Sequence, residues 1–172
     1  MEIIDNFLET ETFEMIRGYF FGPQVAWKFN PYKVCAEEKL DSFQFTHTIY
    51  HAMRYPIFKE MSMQALDPIF FKLEHEHGGM DTVLRIKANL TPRTIEPEYT
   101  DYHKDTSQNN ITAIYYLNTN NGFTRFEDGQ KVESVSNRML LFDAQTNHSG
   151  VTCTDEKVRG VLNINYFPKN LT

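Results

Sequence analysis

The hydrophobic pattern of this chain changes its period near Gly79, and this change limits the folds open to it. Beyond Gly79, short segments rich in β-branched and aromatic residues are separated by Asn, Gly and Asp, which is typical of strands joined by turns. Regularly spaced short strands without intervening helices favour a sandwich or jelly roll over a parallel βαβ sheet. Eight segments have this character: "TVLRIKANL", "TDYHKD", "ITAIYYLN", "GFTRFED", "KVESV", "RMLLFD", "HSGVTC" and "VRGVLNINYF".

The first half of the chain carries helical patterns instead. In "ETETFEMIRGYFFGP", Phe13, Ile16 and Phe20 recur at helical spacing, and Gly22-Pro23 ends the segment. Short strands are predicted around "QVAWKF" and "FQFTHTIY", on either side of a polar loop at residues 30–42.

A second helical stretch runs from "YPIFKEM" to "FKLEHEHGG". Asp67-Pro68 falls inside it, and Asp as N-cap with Pro at the first helical position predicts two helices or one broken helix. We therefore expect an α+β protein with a double-stranded β-helix (jelly-roll) core and N-terminal helices packed on one outer face. Residues 1–172 are expected to form a single domain, in which 1–79 supply supporting and lid elements and 80–168 the jelly-roll core.

Composition narrows the class of protein further. With 172 residues, of which 41% are hydrophobic, the chain can bury a core without disulfides. Its two cysteines, Cys35 and Cys153, are predicted to be free thiols. The N-terminus lacks a basic signal-peptide segment, and no apolar run approaches the roughly 18 residues of a membrane span, so we expect a cytoplasmic protein without a membrane partner. A net charge of −6 disfavours a nucleic-acid partner.

The triplet "HKD" predicts part of a metal site. If this segment is extended, His103 and Asp105 project to the same side because residues i and i+2 share a face. His148 follows the apolar strand "MLLF" and lies far enough along the chain to return from another strand. Two histidines and one carboxylate form the facial triad of non-haem Fe(II) oxygenases. Such a triad leaves three coordination positions open, two for a bidentate 2-oxo acid and one for O₂.

Two other histidine pairs compete for the role of metal ligand. His47 and His51, in "HTIYH", have zincin-like spacing but lack the catalytic glutamate and lie in a strand-like segment. His75 and His77 lie at a predicted helix C-terminus, where imidazoles interact favourably with the helix dipole. Structural roles are therefore expected for both pairs.

Arg159, eleven positions after His148, begins the last predicted strand. A 2-oxoglutarate molecule held on iron by its keto acid end needs a cation for its far carboxylate, and the planar guanidinium suits this task. Arg159 and Asn163 are thus predicted cofactor-binding residues. Alternation places two sets of residues on opposite faces of this strand: Arg159, Val161, Asn163 and Asn165 toward the pocket, and Leu162, Ile164 and Tyr166 toward the core.

Together these features resemble the prolyl 4-hydroxylase-like branch of the 2-oxoglutarate and Fe(II)-dependent oxygenases. The resemblance covers roughly residues 81–167 and implies that Fe(II), 2-oxoglutarate and O₂ are cofactors, with ascorbate as an optional addition. It also implies that Tyr115 donates its hydroxyl to the far carboxylate beside Arg159 and that Asn89 contacts the cofactor. The matching pieces, in family order, are "YHKD", "TAIYYLN", "GFTRFEDG", "SVSNRMLLFDAQTNHSG" and "RGVLNINYF".

Two positions depart from the usual pattern of this branch. Asn121-Gly122 stands where relatives usually carry a glycine pair, and Arg159 stands where many close relatives have lysine. Arginine is also used in the family, so the predicted cofactor is the same.

The resemblance implies hydroxylation of a C–H bond and favours peptidyl-proline as substrate; a free amino acid, another small metabolite or an alkylated base are the alternatives. The loops "NPYKVCAEEKLD" and "TPRTIEPEYTD" are the expected substrate-binding elements, because loops at the mouth of a jelly roll carry specificity. Four side chains are considered as peptide readers, with core or surface roles equally compatible: Trp27, Tyr32, Arg85 and Arg125. Nothing in the sequence indicates the oligomeric state.

Two other classes of function stay open. One is a non-catalytic jelly-roll module that binds a ligand or partner through a vestigial site. The other is a metal-dependent isomerase or dioxygenase on a cupin-like roll. Cupin-like sites generally recruit more histidines and do not need Arg159, so a requirement for 2-oxoglutarate separates them from the leading hypothesis.

Overall fold

The computed structural model describes residues 1–33, 43–53 and 61–169. Most of the predicted polar loop at residues 30–42, including Cys35, and the start of the "YPIFKEM" stretch lie outside these ranges. Cys153 is buried and is a free thiol, as predicted. No helix within the described ranges is long and apolar enough to cross a membrane.

The helices follow the predicted pattern with one correction. Helix α1 spans Thr10–Phe21 and ends before Gly22; the broken second stretch forms α2 (Met61–Ala65) and α3 (Asp67–Glu76). Leu66, and not Asp67, holds the N-cap position of α3, and no side chain caps that helix. Asp67 therefore lies inside the first turn, where its charge still favours the positive end of the helix dipole.

Ten strands of the described residues form two antiparallel sheets. A seven-stranded sheet has the order β1-β8-β5-β10-β4-β3-β2, and a three-stranded sheet has the order β7-β6-β9. Their bounds are β1 Glu2–Ile4, β2 Lys28–Asn30, β3 Gln44–His51, β4 Met80–Pro92, β5 Ile111–Tyr116, β6 Phe123–Phe126, β7 Lys131–Glu133, β8 Arg138–Asp143, β9 His148–Val151 and β10 Val158–Pro168. This architecture confirms the expected jelly-roll core.

Seven of the eight predicted segments after Gly79 form strands, and "TDYHKD" does not. That segment is irregular and touches the sheets through two isolated bridges nearby, Tyr99 with Val151 and His103 with His148. One further strand, β1, lies at the N-terminus and pairs with β8 at the edge of the large sheet. Three residues with little alternation gave no strand signal in the sequence.

Two apolar clusters lie on the two faces of the large sheet. The first joins the sheet to the helices and includes Phe13, Ile16 and Phe20 of α1, so the helices cover one outer face as expected. Gly160 allows this contact, because a Cβ there would lie 2.8 Å from the Phe21 ring. The second cluster fills the space between the two sheets: Ile114, Tyr116, Phe126, Val132, Leu140, Phe142 and Val161.

Candidate active site

Main-chain hydrogen bonds fix the three predicted metal ligands at one end of the space between the sheets. The N–H groups of His103 and His148 each donate to the carbonyl of the other, both at 3.0 Å. The Asp105 N–H donates to the Ala144 carbonyl at 3.2 Å. One ligand atom from each of His103, Asp105 and His148 lies within 4.8 Å of the other two, so the group can hold a metal ion.

Both imidazoles are oriented with Nε2 available to a metal. The Nδ1 atom of His103 lies 3.3 Å from the Asp101 carbonyl, and that of His148 lies 3.0 Å from the Thr146 carbonyl. A carbonyl oxygen only accepts, so each Nδ1 is the donor in these contacts, and Nε2 is the nitrogen that faces the other members of the triad. Metal-binding histidines are characteristically held in this way through their second nitrogen.

The Asp105 carboxylate is the most heavily bonded group of the site. Its Oδ1 accepts from Arg85 Nη2 at 2.8 Å, while its Oδ2 accepts from Thr112 Oγ1 at 2.9 Å and from Asn163 Nδ2 at 3.1 Å. Asn165 Nδ2 adds a longer contact of 3.3 Å. These donors fix the orientation of the carboxylate and its ionised state.

The electrostatics of the triad suit a divalent cation. Burial alone would raise the pKa of Asp105, but Arg85, His148 and the hydrogen bonds from Asn163 and Thr112 hold that pKa well below its ordinary value. Burial and the neighbouring His148 lower the pKa of His103. A carboxylate that stays charged beside an imidazole that stays neutral is the protonation state metal ligands require.

Arg159 lies at the other end of the same cavity. Its Nε donates to Ser134 Oγ at 2.8 Å and its Nη2 to Thr124 Oγ1 at 3.1 Å, and the guanidinium lies 5.5 Å from the centre of the Tyr116 ring. Nη1 has no hydrogen-bond partner, and the group has no acidic partner, among the described residues. The fixed side chain therefore presents unused donors to an anion.

Gly122 makes room for the Arg159 side chain. A Cβ at this position would lie 2.9 Å from Arg159 Cδ and 2.8 Å from the Val151 carbonyl oxygen. One glycine of the expected pair is thus sterically required here. Asn121, which replaces the other, donates its N–H to the carboxylate of Asp155 on the surface.

The expectation for Tyr115 is corrected by its position. Its hydroxyl donates to Asn137 Oδ1 at 2.7 Å, and its ring packs edge-on against Phe7 and Phe13 on the helix side of the sheet. The neighbouring Tyr116 faces Arg159 instead, and its hydroxyl lies 2.8 Å from Thr124 Oγ1. The alternation of side chains along β5 thus exchanges the two tyrosines relative to the expected arrangement.

Asn89 and Asn163 line the cavity between the triad and Arg159. The Oδ1 atoms of both are buried without a hydrogen-bond partner, and among the described residues only Asn110 has another such side-chain atom. Buried polar atoms normally find partners, so two unpaired ones in one cavity indicate a polar ligand. The cavity holds about 710 Å³ of empty space, counted with its open mouth.

The competing histidine pairs are occupied elsewhere. His47 contacts the Ala26 carbonyl through Nδ1 and Ser62 Oγ through Nε2, and His51 Nδ1 accepts from the Met53 N–H. On α3, the ring of His75 packs on Phe71. His77 lies just after that helix, with Nδ1 3.3 Å from a carboxylate oxygen of Glu2.

Two of the four side chains considered as peptide readers make contacts within the protein. Arg85 binds Asp105 and Asn165, so it holds the carboxylate of the candidate metal site in place. Arg125 lies between the rings of Tyr99 and Tyr102, 4.7 Å and 4.4 Å from their centres.

Sequence reasoning missed several residues that line the cavity or hold Asp105 and Arg159 in place. Thr112, Thr124 and Ser134 escaped notice because a lone hydroxyl residue in a strand is common and carries no motif. Lys87 was missed although a signal existed: "RIKAN" places polar side chains at alternate positions of β4, so residues 85, 87 and 89 share one face. Asn165 was predicted to face the pocket; its amide lies on that side of β10, where it bonds Asp105 and Thr112, but it is buried behind them and does not line the cavity.

No protein-family model matches the chain, and no curated protein matches it. Solved structures do match. An oxidoreductase of the 2OG-Fe(II) oxygenase family from Burkholderia pseudomallei has a TM-score of 0.67 at 10% identity, covering 96% of this chain and 84% of that one. The viral collagen prolyl hydroxylase of Paramecium bursaria Chlorella virus-1, solved with 2OG, has a TM-score of 0.60 at 14% identity, covering 98% and 96%.

A third match carries a different activity. The non-heme α-ketoglutarate-dependent epimerase of nogalamycin biosynthesis has a TM-score of 0.63 at 12% identity, covering 99% of this chain and 81% of that one. At such identities the likeness establishes the fold. This chain has the double-stranded β-helix fold shared by 2-oxoglutarate and Fe(II)-dependent oxygenases.

Proposed function

We propose that this protein is a 2-oxoglutarate- and Fe(II)-dependent dioxygenase that hydroxylates a C–H bond. One observation carries the proposal: a His-Asp-His triad and an arginine, which has no acidic partner among the described residues, line one cavity of a double-stranded β-helix. The donor set of two imidazoles and one carboxylate fits Fe(II) with open coordination positions. The unpaired donors of Arg159 fit the far carboxylate of 2-oxoglutarate.

The side chains around these groups have binding and orienting roles. His103, Asp105 and His148 hold the metal, and the Arg85 guanidinium keeps the Asp105 carboxylate ionised and aligned. When bound, iron and 2-oxoglutarate use O₂ to convert 2-oxoglutarate to succinate and CO₂ and to place a hydroxyl group on the substrate.

At the Arg159 end, Thr124 and Ser134 fix the guanidinium so that its free donors face the cavity. Tyr116 packs against the same guanidinium, whereas Tyr115, to which the resemblance assigned a bond to the far carboxylate, lies on the helix side of the sheet. Asn89 and Asn163 supply polar atoms to the walls between the two ends.

Two substrate classes fit the proposal. Peptidyl-proline is supported by the likeness to a viral collagen prolyl hydroxylase. A free amino acid or other small metabolite is supported by the likeness to an epimerase of antibiotic biosynthesis, since the same fold there serves a different reaction.

The first experiment is anaerobic addition of Fe(II) and then 2-oxoglutarate to the purified protein, followed by visible absorption. We expect a weak charge-transfer band, because a keto acid chelated to Fe(II) absorbs where the separate components do not. Succinate is the matched control, since it lacks the keto oxygen and gives no band. The His148→Ala variant should not bind iron, and it should therefore not produce the band.

The opposite result is equally informative. Iron that binds to the triad without any band on addition of 2-oxoglutarate would contradict the proposal. The cupin-like and non-catalytic alternatives would then account better for the metal site.

A further inference from the structure

Lys87 is a cation of the cavity wall that neither the metal site nor Arg159 uses. It lies on β4, opposite Asn163 of β10, and lines the same cavity as the triad. Among the described residues it makes no hydrogen bond and no ion pair with an acid. Burial, and then the charge of Arg85, lower the pKa of Lys87 to about 8, while Asp105 opposes the shift.

Lys87 and Arg159 occupy separate ends of the cavity. Strand register places Lys87 opposite Asn163 and Thr91 opposite Arg159, so four residues of β10 separate the two cations, a rise of about 13 Å. Asn163 donates to Asp105, which puts Lys87 at the metal end. One small carboxylate therefore does not satisfy both cations.

The charged side chains of the described cavity wall do not balance without a bound anion. Asp105 is the one acidic side chain of the described wall, and Arg85 already pairs with it. Lys33 has its own partner in Glu98 at 2.9 Å. Of the two carboxylates of 2-oxoglutarate, one would chelate the metal and the other pair with Arg159. An ammonium largely withdrawn from water without a counter-ion is costly, and a bound carboxylate removes that cost.

We propose that Lys87 is a second carboxylate-binding position of this cavity, at the metal end and distinct from Arg159. Two molecules can bring the carboxylate there: the substrate, which would then be an anionic small molecule such as a free amino acid, or the keto acid end of 2-oxoglutarate. If the substrate supplies the carboxylate, a peptidyl-proline without a nearby carboxylate would leave Lys87 without a counter-ion. The choice of molecules rests on the proposed function, whereas the binding position does not.

The position itself is tested on the metal-free protein with acetate as the probe. Thermal unfolding is followed at increasing acetate for the wild type, Lys87→Met, Lys87→Arg and the surface control Lys28→Met. We expect stabilisation of the wild type, Lys87→Arg and Lys28→Met, and an apparent affinity for acetate about 10- to 100-fold weaker in Lys87→Met. Without acetate, Lys87→Met should be at least as stable as the wild type, since it removes a partly desolvated charge that has no acidic partner among the described residues.

The source of the carboxylate is tested on the anaerobic Fe(II) protein titrated with 2-oxoglutarate. If 2-oxoglutarate supplies it, Lys87→Met weakens 2-oxoglutarate binding by a similar factor. If the substrate supplies the carboxylate, Lys87→Met binds 2-oxoglutarate as the wild type does. In the 2-oxoglutarate complex, acetate then still binds more weakly to Lys87→Met than to the wild type.

The proposal is overturned if Lys87→Met matches the wild type in both the acetate and the 2-oxoglutarate titrations. A loss of stability in Lys87→Met without any change in carboxylate binding would likewise assign Lys87 a structural role. The acetate test needs neither iron nor 2-oxoglutarate. A missing charge-transfer band would therefore refute the dioxygenase proposal while leaving this binding position standing.

Discussion

Strands β4 and β10 present two opposite faces of the same sheet, and the two faces differ in how completely their side chains are satisfied. The helix face carries Ile86, Ala88, Leu162 and Ile164, which have no exposed surface at all. The cavity face carries Lys87, Asn89, Arg159 and Asn163, each of which has a donor or acceptor without a partner among the described residues. The first face contributes stability through apolar burial. The second holds polar groups at a cost in stability, which a ligand offsets.

The largest effect is expected from a change on the helix face. Leu162→Ala removes a fully buried side chain from the first apolar cluster and should lower the free energy of unfolding by about 2–5 kcal/mol. Urea unfolding measures this loss. The folded fraction should still bind iron and 2-oxoglutarate normally. Impaired 2-oxoglutarate binding with unchanged stability would show that the two faces do not divide these roles.

A smaller effect is expected from the cavity face at Arg159. Arg159→Met should weaken 2-oxoglutarate binding to the Fe(II) protein about 10- to 100-fold, because charge-assisted hydrogen bonds to the far carboxylate are lost. Iron affinity should not change, and stability should stay within about 1 kcal/mol, since an apolar stem replaces an unpaired buried charge. Titration of the charge-transfer band measures the first quantity and urea unfolding the second.

The matched control for Arg159→Met is Arg17→Met, which removes an exposed arginine paired only with Glu14. Normal 2-oxoglutarate binding by Arg159→Met would show that Arg159 does not receive the far carboxylate.

The smallest effects distinguish two neighbouring tyrosines that face opposite sides of β5. Tyr115→Phe removes the hydrogen bond to Asn137 and should lower the free energy of unfolding by about 1 kcal/mol without affecting 2-oxoglutarate binding. Tyr116→Phe leaves Thr124 with one partner fewer and should weaken 2-oxoglutarate binding a few-fold. Each variant is the control for the other. The reverse pattern would return the cofactor contact to Tyr115.

Much of the site followed from local sequence patterns. The division of β10 into a polar and an apolar face is confirmed, because Leu162, Ile164 and Tyr166 lie in the helix-side cluster. The grouping of His103, Asp105 and His148 is also found, although "TDYHKD" is irregular and not a strand. Main-chain pairing of His103 with His148, which no sequence pattern announces, replaces the strand geometry assumed for that segment.

The sequence did not predict which face of β5 points toward the cavity, because both faces of this strand are buried. Five of its six residues are buried, because one face meets the helix-side cluster and the other lies between the sheets. A strand buried on both faces lacks the alternation of polar and apolar residues that reveals which side chains point inward. Only the pairing of β5 with β8 and β10 decides that Tyr116, and not Tyr115, meets Arg159.

The sequence by itself determined the strand-rich second half, the three candidate metal ligands and the arginine that follows them, since these depend on residue type and short-range period. Tertiary structure decided which charges find partners. Arg85 meets Asp105 across twenty residues of chain, whereas Lys87, two positions further along the same face, meets no acid among the described residues. Strand period tells which side chains share a face, but pairing between charges depends on distances that only the assembled sheets establish.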